Sequence, residues 1–173
     1  MIKKALLIID MLNDFIRENG KLYIGDGGRK IILPIQKELE RFRKEKDPVF
    51  YICDHHRPDD KEFNLFSPHC LPGTEGAGII EELTPLKNDF VIYKRRYSGF
   101  FQTDLDITLR EEGISKLELV GVCTNICILY TAASARMLNY KVTVLKDAVA
   151  SFDQEAHDFS LKQMKDILGV EIR

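Results

Sequence analysis

Residues able to do chemistry stand at the ends of four apolar runs. Asp10 follows Ala5–Ile9, Asp54 follows Val49–Cys53, Lys94 follows Phe90–Tyr93, and the segment Gly121-Val122-Cys123-Thr124-Asn125-Ile126-Cys127 follows Leu117–Val120. A strand that turns through glycine into a helix presents unpaired backbone N–H groups and the positive end of the helix dipole, so a cysteine placed there is expected to tend toward thiolate. Cys127 is therefore a candidate nucleophile. Such a thiol needs a base to take its proton or a cation to stabilise its charge, and acyl transfer needs donors aimed at the developing oxyanion. Asp10 and Lys94 can meet the first need, and backbone N–H groups at the helix start the second. An imidazole base is disfavoured, because His55, His56 and His69 cluster elsewhere and His157 lies in the last helical segment. Taken singly, each residue has a plainer use: Asp10 could cap a turn, Lys94 could be one of three solvated cations with Arg95 and Arg96, and Cys127 could be a small buried hydrophobe. Their shared placement at strand ends points to a site.

A second constellation is Asp54-His55-His56, followed by Pro68-His69-Cys70-Leu71-Pro72-Gly73-Thr74. A carboxylate and an imidazole one residue apart after a strand can converge on one cation, and a later loop histidine can complete three protein ligands. Spacing equally allows a surface loop in which His56 and His69 only hydrogen-bond Asp54. His55, between them, points to the other side of the extended chain.

The elements that must position these groups alternate between strand and helix. Five short apolar runs, ending with Val142–Leu145, suit strands buried on both faces, and Val170–Ile172 suits an edge strand. Between them, Ile31, Ile35, Leu39 and Phe42 line one helical face that Asp47-Pro48 stops. Leu105 and Leu109 mark a helix opened by Thr103 and closed by Gly113, Ile128–Leu138 carries a helical pattern, and Phe159, Met164, Ile167 and Leu168 mark a last helix. Strands joined through helices make right-handed βαβ units, so the expected fold is α/β: a doubly wound, three-layer sandwich around a mostly parallel sheet of about six strands. Ligands in such sheets bind beyond the carboxyl ends of the strands, near the topological switch point.

Composition sets the outer bounds. A chain of 173 residues with 45% hydrophobic content suits a single domain over residues 1–173. A net charge of −2 gives no basic field for nucleic acid. No uncharged apolar stretch reaches the roughly 18 residues a membrane helix needs, and Met1-Ile2-Lys3-Lys4 runs into a strand rather than a cleavable signal. The expected location is the cytoplasm. Cys53, Cys70, Cys123 and Cys127 form no disulfide framework and are expected reduced.

With these residues in hand, the chain resembles the isochorismatase-like cysteine hydrolase superfamily, which includes nicotinamidases, N-carbamoylsarcosine amidases, ureido-hydrolases and isochorismatases. The resemblance runs along essentially the whole chain, through Leu7-Ile8-Ile9-Asp10-Met11-Leu12-Asn13-Asp14-Phe15, Lys94 with Tyr97-Ser98-Gly99-Phe100 and Thr103-Asp104-Leu105, Gly121-Val122-Cys123-Thr124 with Cys127, and Asp147-Ala148 after the fifth strand. It implies a catalytic triad of Asp10, Lys94 and Cys127, an oxyanion hole from the N–H groups of Cys123 and Cys127, and a cis peptide between Val122 and Cys123. The D-x-H and P-H-C-x-x-G-T elements resemble the nicotinamidase metal site and imply a divalent ion, zinc with iron or manganese as alternatives, on Asp54, His56 and His69. Phe15 and Phe66 are the implied walls of a slot for a flat ring. Two departures stand out: nicotinamidases often carry a histidine or serine six residues after the aspartate, where this chain has Asp60, and a tryptophan before P-H-C, where this chain has none. The expected activity is hydrolysis of a small carboxamide, nicotinamide to nicotinate and ammonia, by a homo-oligomer. The alternatives are an N-carbamoyl or ureido substrate on the same triad, and a catalytically silent binding protein.

Overall fold

The computed structural model describes residues 3–173, so Met1 and Ile2 lie outside the described residues. Six strands form one sheet: β1 (Lys3–Ile9), β2 (Val49–Asp54), β3 (Phe90–Lys94), β4 (Ile114–Val122), β5 (Lys141–Ala150) and β6 (Glu171–Ile172). Their order is β3-β2-β1-β4-β5-β6, and every pairing is parallel. Chain order reverses between β1 and β4, which makes their carboxyl ends the switch point of a doubly wound sheet.

Burial explains why these segments are strands. Every residue of β2 is buried, as are Ala5–Ile9 of β1, because helices cover both faces of the central strands. Strand β3 lies at the sheet edge and alternates, with Val91 and Tyr93 exposed. On one face, Leu6, Ile8, Tyr51 and Val120 pack against α1 (Asn13–Ile16) and α3 (Ile32–Glu45), whose Ile35, Leu39 and Phe42 recur at helical spacing. A short helix, α2 (Asp26–Lys30), precedes α3. On the other face, Leu7, Ile9, Phe50 and Leu119 pack against α4 (Leu105–Glu111), α5 (Leu129–Met137) and α6 (Gln154–Asp166). Among the described residues no helix is long and apolar enough to cross a membrane.

Two expectations change in detail. Asp147-Ala148 lies inside β5 rather than after it, because the β4–β5 pairing shifts register past Leu119 and the strand then continues to Ala150. Helix α6 buries Ser160 and Met164, whereas Phe159 and Ile167 are exposed, so its inward face is narrower than its apolar residues suggest.

Gly121 shows how tightly the switch point is built. Its φ is +115°, and a Cβ there would stand 2.0 Å from the carbonyl oxygen of Ile9, its partner on β1. Only glycine gives both the backbone angle and the space. Gly121→Ala is expected to lower unfolding stability by roughly 3 kcal/mol or more in chemical denaturation, through combined strain and overpacking. A variant as stable as the parent would show that the strands can part there at little cost.

Candidate active site

The parallel sheet delivers Asp10, Asp54 and Lys94 to one edge from three adjacent strands. Asp10 follows β1 with φ +52°, a left-handed turn that aspartate tolerates better than most residues. Its Oδ1 accepts the N–H of Asp54 at 2.8 Å, which locks the ends of β1 and β2 together. Lys94, fully enclosed, sends its ammonium among three groups. Nζ stands 2.8 Å from Asp10 Oδ2 in a charge contact without hydrogen-bond geometry, donates to Asp54 Oδ1 at 2.5 Å, and donates to Cys127 Sγ at 3.4 Å. The three expected triad residues are thus brought together, and Asp54 joins them.

Burial and these contacts set the protonation states. Burial pushes the Asp54 carboxyl up, but the Lys94 charge overcomes it and holds Asp54 well below the usual carboxylate range. Lys94 is held well above the usual lysine range: burial disfavours its charge, but Asp10 and Asp54 outweigh that. Asp10 rises to about 6, through burial and then the neighbouring Asp54 charge, with Lys94 opposing. Burial also pushes the Cys127 thiol well up, against the pull of Lys94. The expected resting thiolate is therefore corrected to a thiol, because desolvation of the charged sulfur outweighs the ammonium and the helix start. At neutral pH the arrangement is a protonated nucleophile beside a carboxylate poised to receive its proton.

Cys127 sits in a turn that leaves the α-helical ladder. Thr124–Ile128 is a single π-helical turn ahead of α5, and the Cys123 carbonyl accepts from the N–H groups of Ile126 at 3.0 Å and Ile128 at 3.2 Å, passing over that of Cys127. Such a turn turns an N–H away from its usual acceptor. The Val122–Cys123 peptide is cis, as the resemblance implied. Two side chains brace the turn: His157 in the first turn of α6, whose Nδ1 lies 2.8 Å from the buried Thr124 hydroxyl, and Ser151 just after β5, whose Oγ donates to Asn125 Oδ1 at 2.6 Å.

The second constellation also converges. Asp54, His56 and His69 are buried, and their ligand atoms lie within 4.8 Å of one another. His69 Nδ1 bonds the Ser67 carbonyl at 2.8 Å and His56 Nδ1 bonds Asp60 Oδ2 at 3.2 Å; both acceptors lack protons, so in the neutral imidazoles each Nε2 carries the lone pair. Those Nε2 atoms stand 3.8 Å and 3.6 Å from Asp54 Oδ2. The His56 Nε2 is buried with no hydrogen-bond partner, which the simple surface-loop alternative leaves unexplained and a metal ligand requires. The donor set of two imidazole nitrogens and one carboxylate fits zinc or iron(II). His55 turns away and stacks on Tyr93.

Above both groups lies a cavity of about 350 Å³. Asp10 and Cys127 reach its floor, Asp54, Glu62 and His69 one side, and Phe15, Phe66, Ile24, Tyr97 and Phe152 much of the rest. Phe15 and Phe66 both meet His69 edge-on, with ring centres 5.5 Å and 6.5 Å from it. Among the described residues no arginine or lysine lines the cavity.

A model of the isochorismatase domain matches residues 4–172. The chain belongs to the isochorismatase family. Among solved members, the nicotinamidase/pyrazinamidase PncA from Bacillus subtilis is 39% identical over 99% of both chains, with a TM-score of 0.94. N-carbamoylsarcosine amidase from Thermoplasma acidophilum is 36% identical over 99% of this chain and 96% of its own, at 0.90. The pyrazinamidase of Pyrococcus horikoshii in complex with zinc is 28% identical over 99% and 98%, at 0.92.

This isochorismatase-family site contains residues that sequence reasoning missed. Glu62 Oε1 stands 3.8 Å from His56 Nε2, a further carboxylate on the side of the unpartnered nitrogen, and its only sequence signal is its place in the loop between His56 and His69. Asp14 is buried and accepts the N–H of Cys70 at 2.7 Å and of Lys21 at 3.1 Å, anchoring the loop that carries His69. Nothing short of the fold pairs those positions.

Two measurements check the geometry. Lys94→Met removes the cation between two buried carboxylates, and thermal unfolding is expected to show a loss of about 3–5 kcal/mol, the usual cost of leaving buried charges uncompensated. Unchanged stability would mean that the carboxylates are not enclosed together. Limited iodoacetamide followed by peptide mass spectrometry is expected to modify Cys127, which reaches the cavity, before Cys53 or Cys70, which do not. Prior labelling of Cys53 or Cys70 would contradict the placement.

Proposed function

We propose that this isochorismatase-family amidohydrolase cleaves a small neutral carboxamide, nicotinamide being the substrate that fits best, to the carboxylate and ammonia. The observation that carries this reading is the charge pattern of the cavity. Its lining is largely apolar and aromatic, its charged groups are the carboxylates Asp10, Asp54 and Glu62, and it lacks any arginine or lysine. A ureido acid would bring a carboxylate to walls without arginine or lysine, where only the ion on Asp54, His56 and His69 could meet it, whereas a neutral heteroaromatic amide brings a flat ring that the aromatic walls can cover.

In this reading Cys127 Sγ attacks the carboxamide carbon while Asp10 takes the thiol proton, and the tetrahedral oxyanion lies against the N–H groups of Cys123 and Cys127. The proton passes from Asp10 to the nitrogen, the C–N bond breaks, and ammonia leaves a thioester. Water then attacks the thioester carbon, giving one proton to Asp10 that returns to sulfur as the C–S bond breaks, and the acid so formed releases its remaining proton to solvent, where ammonia takes it up, leaving the carboxylate. Lys94 holds Asp10 and the sulfur in place and offsets the charge that arises there. Phe15 and Phe66 flank the ring. Asp54, His56 and His69 would hold a divalent ion, zinc by the donor set with iron or manganese as alternatives, and when bound it supplies a fixed positive charge toward the ring nitrogen or a water beside it. We place the enzyme in the cytoplasm, with the thiols reduced.

Ammonia release from nicotinamide, benzamide and N-carbamoylsarcosine at equal concentration, with and without chelator, tests the assignment. Nicotinamide is expected to react and to lose activity with chelator, while benzamide, lacking the ring nitrogen, reacts at least about tenfold more slowly. Turnover of N-carbamoylsarcosine but not nicotinamide would overturn the substrate and leave the triad standing. Cys127→Ala is expected to abolish turnover in a folded protein; retained turnover overturns the mechanism.

A further inference from the structure

We infer that Asp60 is a positioning residue of the histidine cluster, an outer carboxylate that fixes the orientation and tautomer of His56, and not a ligand. This rests on the reading of Asp54, His56 and His69 as a metal site. Position 60 is the one at which the resemblance left a fourth donor open, and the structure uses it differently. Both oxygens of Asp60 are already engaged: Oδ2 with His56 Nδ1 at 3.2 Å, Oδ1 with the N–H of Glu62 at 3.0 Å, and both with Arg96 Nη1 at 3.1 Å. Its side chain is 4% exposed, so little freedom remains for it to swing toward the cluster.

The consequence falls on His56. An ionised carboxylate only accepts, so the proton of a neutral His56 sits on Nδ1 and the lone pair on Nε2, which faces Asp54. A carboxylate also makes the far nitrogen a stronger donor than a neutral acceptor would. His69 receives its orientation from the Ser67 carbonyl, a neutral group. The two imidazoles are therefore unequal, and Asp60, held by Arg96 from the exit of β3 and by the Glu62 N–H, strengthens only His56.

Cobalt(II) affinity, measured by competition with a chromophoric chelator on the purified full chain, separates the outcomes without using activity. Asp60→Ala is expected to weaken binding about 10–100-fold, the range found for outer partners of metal-bound histidines. Asp60→Asn keeps an acceptor for the Nδ1 proton and nearly the same shape, so it is expected to fold as the parent does, to lose less affinity than Asp60→Ala, and to keep the parent cobalt absorption spectrum at saturation. Asp54→Asn is expected to lose far more. Affinity within about twofold of wild type in Asp60→Ala overturns the inference, as does an Asp60→Asn protein that loses as much as Asp54→Asn or shows an altered spectrum, which would place Asp60 among the ligands. A wild-type chain that takes up no cobalt would instead overturn the metal-site reading itself.

Discussion

One buried ammonium organises this protein's chemistry. Lys94 Nζ lies within 2.8 Å of oxygens on both Asp10 and Asp54 and within 3.4 Å of Cys127 Sγ, so two carboxylates and a sulfur share a single cation at the buried floor of the cavity. Neither carboxylate could be enclosed in charged form without it, since burial alone pushes both toward protonation. The contest ends unequally. Asp54 is kept ionised, and Asp10 settles near neutrality. That inequality is what a proton carrier needs, because a carboxylate held far down its range would not accept the thiol proton.

Asp54 links this cluster to the second one. Its Oδ1 takes the lysine, while its Oδ2 faces both histidine Nε2 atoms. A change in charge at the histidines is thereby felt one residue away from the nucleophile. The sheet makes the arrangement rigid: Asp10 is tied to Asp54 by a backbone hydrogen bond, and the neighbouring strands β1, β2 and β3 are locked in parallel register. Precision of this kind comes from strand ends more readily than from loops.

Around this charged floor the cavity is largely apolar, which raises the strength of every electrostatic contact inside it. Among the described residues its walls carry no arginine or lysine, while the floor carboxylates Asp10 and Asp54 are matched by the Lys94 ammonium. The amidases that share the fold are built on a common frame, so the acyl group they accept must be decided by the loops and the cavity lining rather than by the sheet.

How much of this was legible in the sequence differs by the range of the interaction. The runs before Asp10, Asp54, Lys94 and Gly121 read as buried strands because helices on both faces demand continuous apolar stretches, and alternation with helices implied a parallel sheet that collects their ends. Spacing alone also gathered Asp54 and His56, which are two residues apart on one side of an extended chain. Tertiary structure decided what depends on distant neighbours and on solvent exclusion. Burial pushes the Cys127 thiol up, Asp14 reaches Cys70 across 56 residues, and Asp60 is held by His56 and Arg96. The π turn Thr124–Ile128, which steps over the Cys127 N–H, is packed against α6, and no local periodicity marked it. Local periodicity determines which residues arrive at the strand ends, but desolvation and long-range hydrogen bonds exist only once the chain has folded, and they set the charge each residue carries there.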